Sequence, residues 1–98
     1  MANTLNFVRS KKSEILEVAA KYNVTNIRVF GSVVRGEDKE DSDVDLLVHI
    51  TNYDGMGFGF VKFEHEISKV LNKKAHIISD RAVNKHLKEI IFSEAIPL

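Results

Sequence analysis

Two aspartates set one residue apart, Asp43 and Asp45, follow a Gly31-Ser32 pair after ten intervening residues. Around them Val44, Leu46, Val48 and Ile50 alternate with Asp43, Asp45, Leu47 and His49, the period of a strand with one face in a core. Both carboxylates then project from the opposite face, roughly 6–7 Å apart along the backbone. Held that close, they repel unless something positive lies between them. A hard divalent cation, Mg²⁺ or Mn²⁺, prefers carboxylate oxygens and bridges readily to substrate phosphates. The Gly31-Ser32 turn follows another apolar run, Ile27 to Phe30. Glycine permits close backbone approach, and free N–H groups beside a hydroxyl hold phosphate oxygens. A metal at one end and a phosphate cradle at the other make a site for nucleotide chemistry. Taken singly, the same residues also fit an exposed polar strand face and an ordinary strand-ending turn.

Positioning this site requires a small set of elements. Leu5, Val8, Ile15, Leu16, Ala19 and Tyr22 recur at helical spacing and predict one helix from about Thr4 to Tyr22, capped by Asn3 or Thr4. Asn23 to Asn26 break the period before a first strand, Ile27 to Phe30. A turn or helical stub carries Arg35, and the charged run Gly36 to Ser42 reads as a solvated loop. The second strand spans Asp43 to Ile50. Thr51 to Gly59, with Gly55, Gly57 and Gly59, reads as a flexible connection, because its glycines lie outside a dinucleotide-binding context. Phe60, Phe63, Ile67, Val70 and Leu71 form the core stripe of the next helix. A third strand, Ala75 to Ser79, leads through Asp80 as N-cap into a last helix bearing Val83, Leu87, Ile90 and Ile91, which Pro97 stops. The order is α-β-β-α-β-α, an α/β (α+β) domain.

Ninety-eight residues make one domain, 1–98. Fourteen basic residues balance fourteen acidic ones, which argues against direct nucleic-acid binding but not against a nucleotide whose charge is met by metal. The absence of cysteine excludes disulfides and thiolate metal sites. No long apolar segment or signal-like stretch appears, so no membrane association and a cytoplasmic location are expected.

The pattern Gly-Ser, ten residues, Asp-x-Asp resembles the signature of the DNA polymerase β-type nucleotidyltransferase superfamily. The fuller text Gly31-Ser32-Val33-Val34-Arg35-Gly36 … Ser42-Asp43-Val44-Asp45-Leu46 looks like its minimal nucleotidyltransferase branch, and the tail Ile91 to Leu98 is similar to the end of such proteins. The resemblance implies a small mixed three-stranded sheet packed with helices. It further implies that Asp43 and Asp45 are catalytic and bind the metal carrying ATP, in a two-metal in-line displacement at the α-phosphate. Gly31 and Ser32 would hold the terminal phosphates. Arg35 either neutralises triphosphate oxygens or pairs with Asp41 or Asp43. Ser42 joins the nucleotide-binding set by orienting Asp43 or capping the turn. His49 and His65 have no partner at a recognisable ligand spacing.

Members of the superfamily usually add a third carboxylate from the strand beside Asp-x-Asp. Here Lys73-Lys74-Ala75-His76-Ile77-Ile78 puts His76 in that place. A neutral imidazole accepts a proton and binds Mn²⁺ or Zn²⁺, but is a poor Mg²⁺ ligand. Such minimal proteins are often antitoxins encoded beside a HEPN-type ribonuclease. The resemblance therefore implies AMP transfer from ATP to a hydroxyl, a tyrosine of that toxin, within a hetero-oligomer. The rival reading is a non-catalytic module that neutralises the toxin by binding alone.

Overall fold

The computed structural model describes residues 4–51 and 57–98, so Asn3 as a cap and Gly55 of the glycine-rich loop lie outside the described residues. The elements run α1 (Thr4–Ser10), α2 (Lys12–Lys21), β1 (Val24–Phe30), α3 (Ser32–Arg35), β2 (Val44–Ile50), α4 (Gly57–Leu71), β3 (Ala75–Ser79), α5 (Lys88–Glu94) and β4 (Ile96–Pro97). The first helix is divided at Lys11. There the Ser10 hydroxyl donates to the Phe7 carbonyl at 2.5 Å, and the Lys11 N–H donates to the Val8 carbonyl at 3.0 Å. Side-chain back-bonding of this kind competes with the helical ladder and bends it. Both halves still face one core, through Val8, Ile15, Val18 and Ala19.

β1 starts at Val24, earlier than its apolar run suggests. Asn26 has φ 51°, and the register against β2 shifts between Thr25 and Arg28, which marks a bulge. An extra residue in one strand interrupts the period-2 pattern, so Val24 looks detached from Ile27 in the sequence. α4 likewise begins at Gly57, inside the stretch expected to be loop.

Among the described residues the sheet has four strands rather than three, in the order β3-β2-β1-β4. β2 runs antiparallel to β1 and parallel to β3, and β4 adds antiparallel to β1 with Ile96 opposite Val29 and Pro97 opposite Arg28. Proline is tolerated on an edge strand, where its missing N–H breaks no ladder. α5 has already ended at Glu94, and Ala95 turns the chain to extended backbone at φ −64°, ψ 134°.

One sheet face carries the main core. Val29, Leu46, Val48 and Ala75 meet Val8, Ile15, Phe63, Ile67 and Leu71, each exposed by 1% or less. Burying each of the larger side chains contributes about 1.5–3 kcal/mol. The other face holds a second, smaller core of Phe30, Leu47 and Ile91, with Ile78, Val83 and Ala95 packed around it. Leu47, read as part of a polar face, is therefore wholly buried.

Asp80 is not the cap of the last helix. Turns occupy residues 80–87, and the Asp80 carboxylate instead meets His49 Nδ1 at 3.0 Å and Arg28 Nη2 at 3.7 Å. The cation and imidazole across the sheet outcompete a free backbone N–H. Among the described residues no helix is long and apolar enough to cross a membrane.

Candidate functional site

The strand register assembles the site. β1 and β2 place Phe30 opposite Asp45, so the next residue, Gly31, lies against the Asp45 side chain. A Cβ on Gly31 would come within 2.2 Å of Asp45 Oδ2. Gly31 also has φ 82°, ψ −155°, a region that is essentially glycine-only. Glycine is thus required for two separate reasons.

On the other flank the parallel pairing of β2 and β3 sets His76 opposite Asp45, with His76 Nδ1 3.3 Å from Asp45 Oδ1. Asp43, half-buried, stands just before β2. Burial pushes the Asp45 carboxyl above its ordinary value of 3.8; the His76 contact opposes this, the Asp43 charge adds to it, and the Arg35 charge counters it. Burial and Asp43 both disfavour the Asp45 anion, and a cation between the two carboxylates would relieve both. The chemistry of the two carboxylates fits a hard divalent ion, which Asp43 and Asp45 would hold. Among the described residues no group of three or more His, Cys, Asp or Glu is placed to hold a metal ion, so the pair stands without a third ligand of these types.

Near Gly31, Arg35 pairs with neither Asp41 nor Asp43. Its Nε donates to Glu37 Oε1 at 2.6 Å and its Nη1 to Glu94 Oε1 at 2.5 Å. The Ser42 hydroxyl accepts the Lys39 N–H at 2.8 Å, which closes the turn leading into β2 rather than reaching Asp43. His49 sits at the far end of the same sheet face, against Asp80.

Glu94 is the residue that sequence reasoning missed. Besides Arg35, it accepts the Gly31 backbone N–H at Oε2, 3.0 Å away. α5 is held by buried Ile91 against Phe30 and Leu47, and Glu94 lies three residues further, close to the same helix face. An acidic residue one turn after a buried apolar one was the available signal.

The nucleotidyltransferase domain family matches residues 11–98 of the chain. A protein of Methanocaldococcus jannaschii named as a protein adenylyltransferase is 31% identical over 85 residues, 87% of this chain and 90% of that protein. The protein adenylyltransferase MntA of Thermococcus cleftensis is 30% identical over 80 residues, covering 82% of this chain and 80% of its own. Among solved structures, one described as a minimal nucleotidyltransferase superposes with a TM-score of 0.81 at 34% identity, over 96% of this chain and 95% of the other. A chain from the complex of the tri-AMPylated Shewanella oneidensis HEPN toxin with MNT antitoxin shares the fold, with a TM-score of 0.65 at 13% identity over 92% and 70%.

Proposed function

Because the chain belongs to the nucleotidyltransferase family, we propose that it is a protein adenylyltransferase acting as an antitoxin. It binds ATP with a divalent ion and transfers AMP to a hydroxyl, a tyrosine of a cognate HEPN-type ribonuclease in the cytoplasm, silencing it within a hetero-oligomer. The observation that carries this reading is the Asp45 carboxylate seated directly on the Gly31 backbone, so that carboxylate and phosphate cradle form one site. The names of the two archaeal relatives support a protein as acceptor, and the AMPylated toxin in the Shewanella complex supports a HEPN partner.

Asp43 and Asp45 hold the ion, which when bound supplies positive charge against the triphosphate. The Gly31 N–H, Ser32, Arg35 and, through its turn, Ser42 orient the nucleotide so that pyrophosphate leaves in line. The acceptor oxygen forms its bond to the α-phosphorus as the bond from that phosphorus to the bridging oxygen of pyrophosphate breaks. The proton lost by the hydroxyl passes to the His76 imidazole, which stands beside Asp45.

Incubating the chain with the toxin encoded beside it and labelled ATP, in Mg²⁺ or Mn²⁺, tests the proposal. Label should enter the toxin and vanish when Asp43→Asn and Asp45→Asn are combined. Label unaffected by the double substitution overturns the site assignment. A second reading, neutralisation by binding alone, is supported by His76 opposite Asp45, the position at which the resemblance implies an acid. Silencing of the toxin without label selects it.

A further inference from the structure

Glu94 has no part in the chemistry above, yet its carboxylate fills the cradle. The Gly31 N–H donates to Oε2 at 3.0 Å and Arg35 Nη1 to Oε1 at 2.5 Å. In the nucleotidyltransferase reading, on which this inference rests, the same two donors hold terminal phosphates. A carboxylate and a phosphate present the same face to such donors, anionic oxygens that accept charge-assisted hydrogen bonds. We infer that Glu94 is an internal stand-in for the triphosphate, a latch from α5 that closes the cradle until a polyphosphate displaces it.

Three observations support the assignment. The Glu94 side chain is only 16% exposed, whereas Arg35 is 48% exposed, so the carboxylate is held in place rather than trailing in solvent. Its position is fixed from behind, since Ile91 of the same helix is buried against Phe30 and Leu47. Arg35 also pairs with Glu37, so one guanidinium already faces two carboxylates. An entering triphosphate meets negative charge at the cradle unless Glu94 withdraws, and Arg35 keeps a partner when it does.

Nucleotide affinity is then set by the fraction of molecules whose latch is open, because occlusion weakens the apparent constant in proportion. The site becomes selective for ligands with several linked phosphates, which replace both contacts of Glu94 at once. A nucleoside with no phosphate chain gains nothing from the opening.

Calorimetric titration of the full chain with Mg·ATP, with inorganic tripolyphosphate and with adenosine tests this, using wild type, Glu94→Gln and Glu94→Ala. Removing the carboxylate should tighten ATP and tripolyphosphate binding about three- to tenfold, more for alanine than for glutamine, and leave adenosine unchanged. Equal or weaker ATP binding by both variants, with wild type binding normally, overturns the latch and makes Glu94 a residue that positions Gly31 and Arg35. No ATP binding by any of the three proteins overturns the nucleotidyltransferase reading and the latch with it. A readout on wild type alone avoids reliance on the variants' folding: the ¹³C resonance of the Glu94 carboxyl should move on saturation with tripolyphosphate. A resonance that stays fixed at saturation overturns the inference.

Discussion

Substituting alanine at Gly31 brings two separable penalties. The first is backbone strain, since φ 82°, ψ −155° costs a non-glycine residue about 1–3 kcal/mol. The second is the collision with Asp45, whose Oδ2, Cγ and Cβ would lie 2.2, 3.1 and 3.3 Å from the new Cβ. Rotating the carboxylate clears the oxygen but leaves the Cβ contact tight, so the loss should reach about 3 kcal/mol, against about 1–2 kcal/mol for strain of the common left-handed kind. Gly36→Ala isolates that simpler strain, because Gly36 has φ 71° and nothing within 4 Å of its would-be Cβ. In a domain of this size about 1 kcal/mol moves the melting temperature by about 4–8 °C. Gly31→Ala should therefore melt at least about 10 °C below wild type, and clearly below Gly36→Ala. Combining it with Asp45→Ala should recover part of the loss, a coupling that a double-mutant cycle measures. If Gly31→Ala is no less stable than Gly36→Ala, and the cycle shows no coupling, Asp45 does not sit on Gly31.

Asp45→Asn should raise the melting temperature at pH 7 while abolishing Mg·ATP binding. A folded-state carboxyl pKa held above 3.8 makes ionisation a cost to the fold, absent below the ordinary value and felt as pH rises through the raised one, so the gain should vanish in acid; a stability difference independent of pH would contradict it. His76→Asp restores an oxygen donor beside Asp45 and should speed Mg²⁺-dependent AMP transfer about tenfold, about 1.4 kcal/mol of barrier, while lessening any preference for Mn²⁺; slower Mg²⁺-dependent transfer by the variant would show that His76 is not in the third-acid place. Asp80→Asn should cost about 1–2 kcal/mol in urea unfolding by breaking the pair with Arg28 and weakening the contact with His49. Asparagine caps helices as well as aspartate, so no change in stability would support a capping role instead.

Much of this arrangement was legible in the chain because the informative signals are local. The alternation from Val44 to Ile50 announces a strand, and a two-residue period fixes which side its aspartates take. What escaped the sequence depends on residues far apart along it. The bulge at Asn26 conceals the first part of β1, since an inserted residue erases the very period that reveals strands. Asp80 reads as a cap because its attraction to Arg28, across the sheet, has no local trace. Ile96 and Pro97 look like a helix terminus until β1 offers them an open edge. Glu94 is hidden for the same reason, being 63 positions from the Gly31 amide it meets.

The two cores differ greatly in extent, and this has a consequence for how the domain opens. β2 is locked from one side by Val8, Ile15, Phe63, Ile67 and Leu71, whereas α5 is retained by the smaller core around Ile91, by the Glu94 contacts with Gly31 and Arg35, and by the two-residue β4 that follows it. Free energies of opening follow such differences, so detaching α5 requires far less than global unfolding. Amide protons of α5 should exchange through a sub-global fluctuation that leaves those of β1 and β2 protected. Asp45, within β2, then belongs to a slowly exchanging part of the molecule, and Glu94, which meets the Gly31 amide from α5, to a faster one. In the proposed function, the carboxylate that would hold the ion and the latch that would admit the nucleotide then fall in separate cooperative units of one small domain.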